Sequence, residues 1–314
     1  MLFRSGLLSA GTFWVFFTYC NMMLWPIRQL GRIVAEMSKS LVSATRIREV
    51  LAAEPETEPE DALKPEITGE IKFENVTFGY GSAESVLKNV SFTLHAGKTL
   101  AILGGTGSGK SSLVHLLARL YDVPEGQGRI TINGTDIKKI HRGHLRRNIG
   151  LVLQEPFLFS KTLHENISAT KPGADLEAVR HATKIAHVDT AITGFADGYE
   201  TMVGERGVTL SGGQKQRVAM ARMLMSGAPV MVFDDSLSAL DTETDAKIRA
   251  ALKKETKDAA VIIISHRIST LMQCDEILVL KNGGVEEIGS HDQLLKSKGS
   301  YAKIFEMQGA MVEG

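Results

Sequence analysis

Residues 104–111 read GGTGSGKS, preceded by the apolar run TLAIL and followed by SSLVHLLARL. This order of strand, glycine loop and helix constrains the fold more than any other stretch, because it demands a βα unit with the loop at the strand's carboxyl end. The octet fits G-x-x-x-x-G-K-[ST]. Its glycines let backbone N–H groups close around phosphate oxygens, and the helix start adds a partial positive charge. Lys110 is then placed to reach the β- and γ-phosphates of a nucleotide, and the Ser111 hydroxyl to ligate Mg²⁺.

Other runs extend this reading. NIGLVLQ, PVMVFDD and AAVIIISH are short apolar segments between helical ones, as in a parallel sheet buried on both faces. IKFENVTFGY and SVLKNVSFTL alternate like antiparallel strands with one solvated face, and residues 175–195 read as helices inserted into the core. Ligands of open α/β sheets gather at the carboxyl edge of the strands. Asp234, closing VMVF, is therefore a candidate metal-holding carboxylate, and Asp235 is the group that would reach a water. His266 ends its strand in the same manner and is a candidate for the γ-phosphate; the alternative is an ordinary strand-end histidine, one of nine in the chain. His141 and His144 lie close together without further ligands and read as a solvated surface pair.

Leu210–Gln214 spell LSGGQ. Ser211 with Gln214 three residues on is a capping box opening the helix QKQRVAMARML, and a capped, glycine-flanked helix start is also an anion site. A chain that already carries one phosphate loop has use for a second if it serves a neighbour's nucleotide.

The N-terminal part has a different character. Ser5–Ile27 contains no charged residue, which at roughly 1.5 Å per helical residue suffices to cross a hydrocarbon core of about 30 Å. Trp14, Tyr19 and Trp25 suit a membrane interface, and Arg28, Arg32 and Lys39 place the following flank in the cytoplasm. A secretory signal peptide would have a shorter apolar core, and a buried soluble helix is the other reading. Beyond Pro26 an amphipathic pattern (Ile33, Met37, Leu41, Ala44, Ile47, Leu51) extends the helix, until Pro55, Pro59 and Pro65 among many acids mark a linker over 54–70. Lys+Arg 36 against Asp+Glu 36 leaves no net charge, so nothing points to a nucleic-acid partner. Two cysteines form no disulfide framework, which fits a reducing cytoplasmic side.

Taken with these motifs in their order, residues 71–308 resemble the nucleotide-binding domain of an ATP-binding cassette protein, and residues 1–53 resemble the last transmembrane helix of a fused exporter with its cytoplasmic extension. Residues 309–314 form a tail. The resemblance implies an α/β P-loop NTPase fold, with a RecA-like core, an antiparallel β subdomain and an inserted α-helical subdomain, preceded by one long helix. It implies that Tyr80 stacks on the adenine of ATP; the alternative is a strand aromatic in the core. Gly104, Gly107, Ser108, Gly109, Lys110, Ser111 and Ser112 would grip the phosphates, with Ser111, Gln154 and Asp234 around Mg²⁺. Leu210, Ser211, Gly212, Gly213 and Gln214 would close over ATP on a partner subunit, Asp241 would cross that interface, and VGERG (203–207) would touch the membrane domain. Function would be ATP-driven export across the plasma membrane by a pair of subunits, of unknown substrate.

Two departures from the family pattern stand out. Where the family usually carries glutamate as the general base, this chain has Asp235, one methylene shorter. The site on its own loop is therefore expected to be slow, with the partner of a heterodimer supplying the competent carboxylate; a homodimer with a weak base is the alternative. Exporter subunits of this kind also carry six spans before the cassette and this chain one, which points to a C-terminal fragment, a misplaced start or a degraded gene. A nucleotide-gated structural clamp would need long coiled coils between the P-loop and LSGGQ, and a soluble cassette would not need the uncharged 23 residues.

Overall fold

The computed structural model describes residues 9–53, 55–56, 58–81, 84–204, 210–236, 248, 250–251, 255 and 257–310. The chain divides into two units, Met1–Thr57 and Glu58–Gly314. Among its described residues the first holds one helix, α1 (Ala10–Ala52), of 43 residues, capped by Ser9 and continuous through Pro26. Among the described residues no helix is long and apolar enough to cross a membrane. Residues 5–8 of the uncharged stretch lie outside the described residues. Within the rest of it, the side chains of Thr18 and Asn21 turn back to bond the carbonyls of Trp14 and Phe17.

Among its described residues the second unit contains ten strands. These are β1 (Ile71–Phe78), β2 (Leu87–Leu94), β3 (Thr99–Gly104), β4 (Arg129–Ile132), β5 (Thr135–Asp136), β6 (Ile149–Val152), β7 (Val230–Asp234), β8 (Ala260–Ile264), β9 (Glu276–Lys281) and β10 (Gly284–Gly289). The described helices are α2 (Lys110–Leu117), α3 (Arg142–Arg147), α4 (Leu163–Ile167), α5 (Leu176–Ile185), α6 (Asp189–Thr193), α7 (Gly212–Ser226), α8 (Ile268–Leu271), α9 (His291–Ser297) and α10 (Ser300–Ala310). One sheet has the order β2-β1-β4-β5 and is antiparallel; the other has the order β10-β9-β3-β8-β7-β6 and is parallel except for β10. The expected α/β fold is observed.

The burial follows from the period-2 alternation of strands. Leu100, Ile102, Val232, Ile262 and Ile264 point toward the antiparallel sheet and α2, in a core shared with Ile71, Phe73 and Leu116. Ala101, Leu103, Met231, Phe233 and Ile263 point to the opposite face, where α4, α5 and α7 pack. β3, β7 and β8 are thus apolar on both sides, which is why they read as uninterrupted runs. Residues 58–70, read from sequence as the end of a linker, belong to this unit. Leu63 N–H donates to Lys139 O and Leu63 O accepts from His141 N–H, both at 2.8 Å, while Ile67 is buried. Prolines and acids masked these two apolar anchors.

Two hairpins turn on Asn-Gly pairs with both residues left-handed: Asn133-Gly134 (φ 49 and 75) and Asn282-Gly283 (φ 52 and 84). They differ in surroundings. A Cβ at Gly134 would meet nothing within 4 Å, whereas one at Gly283 would lie 2.3 Å from Val86 O, where the hairpin packs on β2. Gly134→Ala should therefore cost about 1 kcal/mol, the left-handed strain alone, and Gly283→Ala about 3 kcal/mol because backbone must also move. Urea unfolding of the two variants checks this; equal costs would contradict it.

Candidate nucleotide-binding site

The loop Gly104–Gly109 leaves β3 and enters α2 at the carboxyl edge of the parallel sheet. Gly109 caps the helix at φ +101, and a Cβ there would fall 2.5 Å from Leu87 Cδ2; one at Gly104 would fall 2.6 Å from Leu280 O. Those two positions let the loop lie against the fold. Gly107, at φ +78, faces open space and leaves the mouth of the loop unobstructed. Lys110 Nζ donates to Gly104 O and Gly105 O, each at 2.8 Å, so the loop is closed on its own lysine. Burial pushes this ammonium below the ordinary lysine range, against the opposing pull of Asp234 and Asp235.

Ser111 Oγ donates to Asp234 Oδ2 at 3.3 Å, joining the start of α2 to the end of β7. Burial raises the Asp234 carboxyl above the ordinary carboxylate range; the Ser111 hydrogen bond opposes this and the neighbouring Asp235 adds to it. A cation placed between them would relieve both effects. Among the described residues no group of three His, Cys, Asp or Glu could hold a metal by itself. A hydroxyl and one carboxylate suit Mg²⁺, which takes its remaining ligands from phosphate and water. The Ser108 hydroxyl is buried without a protein partner, inside the curl where a phosphate oxygen would accept from it. The residues therefore fit a phosphate chain with its divalent cation.

Register brings the other candidates to the same edge. β8 lies between β3 and β7, with Ile264 opposite both Ile102 and Asp234. Ser265 and His266 thus emerge between the phosphate loop and the two aspartates, and the His266 side chain is exposed. Asp235 is half-buried, donates its backbone N–H to Ile264 O at 3.0 Å, and sits at φ 44, in the left-handed region that aspartate enters more readily than most residues.

Tyr80 is half-buried, with its hydroxyl 3.0 Å from Ser112 Oγ and 3.3 Å from His115 Nδ1. Its ring meets Phe78 and Tyr121 edge-on at 5.0 and 4.9 Å. It is thereby fastened to the helix that the phosphate loop opens. Gln154 is exposed just beyond β6, and its carbonyl accepts from Gln216 Nε2 on α7 at 3.3 Å. The capping box expected at LSGGQ is present: Ser211 Oγ accepts from Gln214 N–H, and Gln214 Oε1 from Ser211 N–H. Leu210 is buried beneath it, while Ser211 and Gly212 are exposed and Gly213 and Gln214 partly so. Asp241, and Glu205–Gly207 of VGERG, lie outside the described residues.

Sequence reasoning missed the support behind Gln154. Asn166, fully buried in α4, bonds Phe159 N–H and the carbonyls of Phe159 and Thr162 through its amide. Arg222 of α7 donates to Asn166 O and Phe157 O, and stands over the Phe159 ring at 5.4 Å. The segment after Gln154 and the helix opened by Ser211 are so held as one piece. Neither residue falls in a motif, and their pairing across 56 positions is a tertiary contact with no local signal.

Residues 87–238 match the family model described as ABC transporter. The chain is 43% identical over 310 residues to the uncharacterized ABC transporter ATP-binding protein YknU of Bacillus subtilis, covering 98% of this chain and 53% of that protein. It is 37% identical over 310 residues to the ATP-dependent lipid A-core flippase of Desulfotalea psychrophila, covering 97% and 53%. The solved structure of a bacterial Atm1-family ABC exporter with ATP bound superposes with a TM-score of 0.80 at 36% identity, covering 93% of this chain and 51% of that one. The chain spans about half the length of the curated relatives it matches. With the phosphate loop, the strand-end aspartates and the capped LSGGQ helix set on this fold, the chain carries the nucleotide-binding domain of the ABC transporter family.

Proposed function

We propose that the chain is the ATP-binding part of an exporter subunit, and that its own phosphate loop holds ATP while hydrolysing it slowly. The carrying observation is Asp235, a short carboxylate placed one residue after the Asp234 that bonds Ser111. Lys110 exchanges the Gly104 and Gly105 carbonyls for the β- and γ-phosphates; those bonds keep the ammonium satisfied until a nucleotide arrives. The buried Ser108 hydroxyl and the loop's N–H groups take further phosphate oxygens, and Tyr80 presents its ring to the adenine. Mg²⁺, when bound, would supply charge neutralisation to the phosphate chain; Ser111 and Asp234 would hold it, with Gln154 alongside. His266 steadies the γ-phosphate.

Asp235 then has to accept a proton from the attacking water. A general base works at about 2.6–3.2 Å, and a misplacement near 1 Å costs roughly 10²-fold. The missing methylene is of that order. The LSGGQ segment and Asp241 serve a second cassette, so two domains sandwich two nucleotides. We favour a heterodimer in which the partner brings glutamate to the site that this chain's Ser211 completes. The relatives named as flippase and exporter support transport across a membrane, with α1 as one helix of a larger membrane domain.

Two outcomes are expected. Lys110→Ala should weaken ATP binding to this chain more than tenfold by equilibrium titration, while much of a reconstituted pair's turnover persists; complete loss of turnover would indicate two equivalent sites. Asp235→Glu should raise turnover of the pair about tenfold or more, since reach is restored. Because glutamate tolerates φ 44 less well, that gain should come with a slightly lower melting temperature. No rise in turnover would contradict the short-arm explanation.

A further inference from the structure

The C-terminal helix α10 turns its buried face to the core at Tyr301, Ile304 and Phe305, the last two partly buried. The next position on that face is Gln308, where the spacing calls for an apolar residue. Its side-chain Nε2 donates to His266 O at 2.7 Å, and its Oε1 accepts from Ile268 N–H at 3.1 Å. One planar amide thus engages the peptide groups on both sides of Arg267, within the turn that carries His266 out of β8 and into α8. The assignment of amide nitrogen and oxygen is forced by these partners, since a carbonyl can only accept and an N–H only donate.

Ser265 Oγ also accepts from Arg267 N–H at 3.1 Å, a bond local to the turn itself. The helix that supplies Gln308 is itself anchored. Tyr301 is fully buried, with its hydroxyl 2.8 Å from His291 Nδ1, and Ser300 N–H donates to a Glu287 carboxylate oxygen. We infer that Gln308 is a positioning residue for His266, fixing the backbone from which the imidazole reaches the γ-phosphate, so that the far C-terminal helix sets how well the site distinguishes a triphosphate from a diphosphate. The inference rests on the reading of His266 given above.

The test is equilibrium binding to the full chain, with Mg²⁺, of ADP and of a non-hydrolysable ATP analogue. Gln308→Met keeps length and packing and removes both hydrogen bonds. It should lower the preference for the triphosphate about fivefold, a size expected for loss of paired hydrogen bonds, with ADP affinity unchanged. His266→Ala should lower the same preference, and adding Gln308→Met to it should cause no further loss, because the two changes share one interaction. Gln308→Glu keeps the acceptor for Ile268 N–H but sets a carboxylate against His266 O; it should reduce the preference in the same direction, and it supplies the comparison should the methionine variant melt early. If His266→Ala lowers the preference and neither Gln308 variant does, the positioning role is overturned while the reading of His266 stands. If His266→Ala leaves the preference intact, that reading fails and the inference with it.

Discussion

The pairing of β8 between β3 and β7 is the constraint on which the candidate site depends. Parallel register puts Ile264 beside both Ile102 and Asp234, so the loop after β3, the two aspartates after β7 and His266 after β8 leave the sheet at one edge. The loop is more than a hundred positions from both aspartates and His266 along the chain. Apolar packing on both faces of the three strands holds the register, because a one-residue slip would send Ala101, Leu103 and Phe233 to the wrong core. The chemistry at the edge is therefore positioned by side chains that take no part in it.

At that edge, charge is concentrated in a partly dehydrated space. Lys110 is pushed down and Asp234 up by burial; the two aspartates oppose the first shift, and the Ser111 hydrogen bond and Lys110 oppose the second, without cancelling either. Without a nucleotide the lysine settles on two loop carbonyls and Asp234 on the Ser111 hydroxyl. These are the bonds that phosphate oxygens and a divalent cation would replace, which lets the site stay folded while awaiting its ligand. The links from Gln154 to Gln216, and from Arg222 to Asn166, extend the same arrangement toward α7 and its LSGGQ start.

Much of this was legible in the sequence where a local pattern carries a physical meaning. GGTGSGKS requires its strand and helix, VMVFDD ends in its carboxylates at a strand edge, and Ser211 with Gln214 form the capping box their spacing demands. What could not be read depends on tertiary contact. Gln308 meets the His266 turn 42 positions earlier, and Arg222 reaches Asn166 56 positions earlier. Residues 58–70 dock through Leu63 and Ile67 despite a composition suited to a linker.

Asp235 joins these strands of argument, because binding and hydrolysis ask different things of the same edge. On the proposed reading, the loop, Lys110, Ser111 and Asp234 grip a triphosphate, while the reach of one carboxylate limits its hydrolysis. The most direct measurement is the fate of nucleotide held by the unaltered chain: load it with γ-labelled ATP and Mg²⁺, remove excess, and follow the bound label over hours. The account predicts that the recovered nucleotide stays largely ATP. Its conversion to ADP and free phosphate within minutes would contradict it.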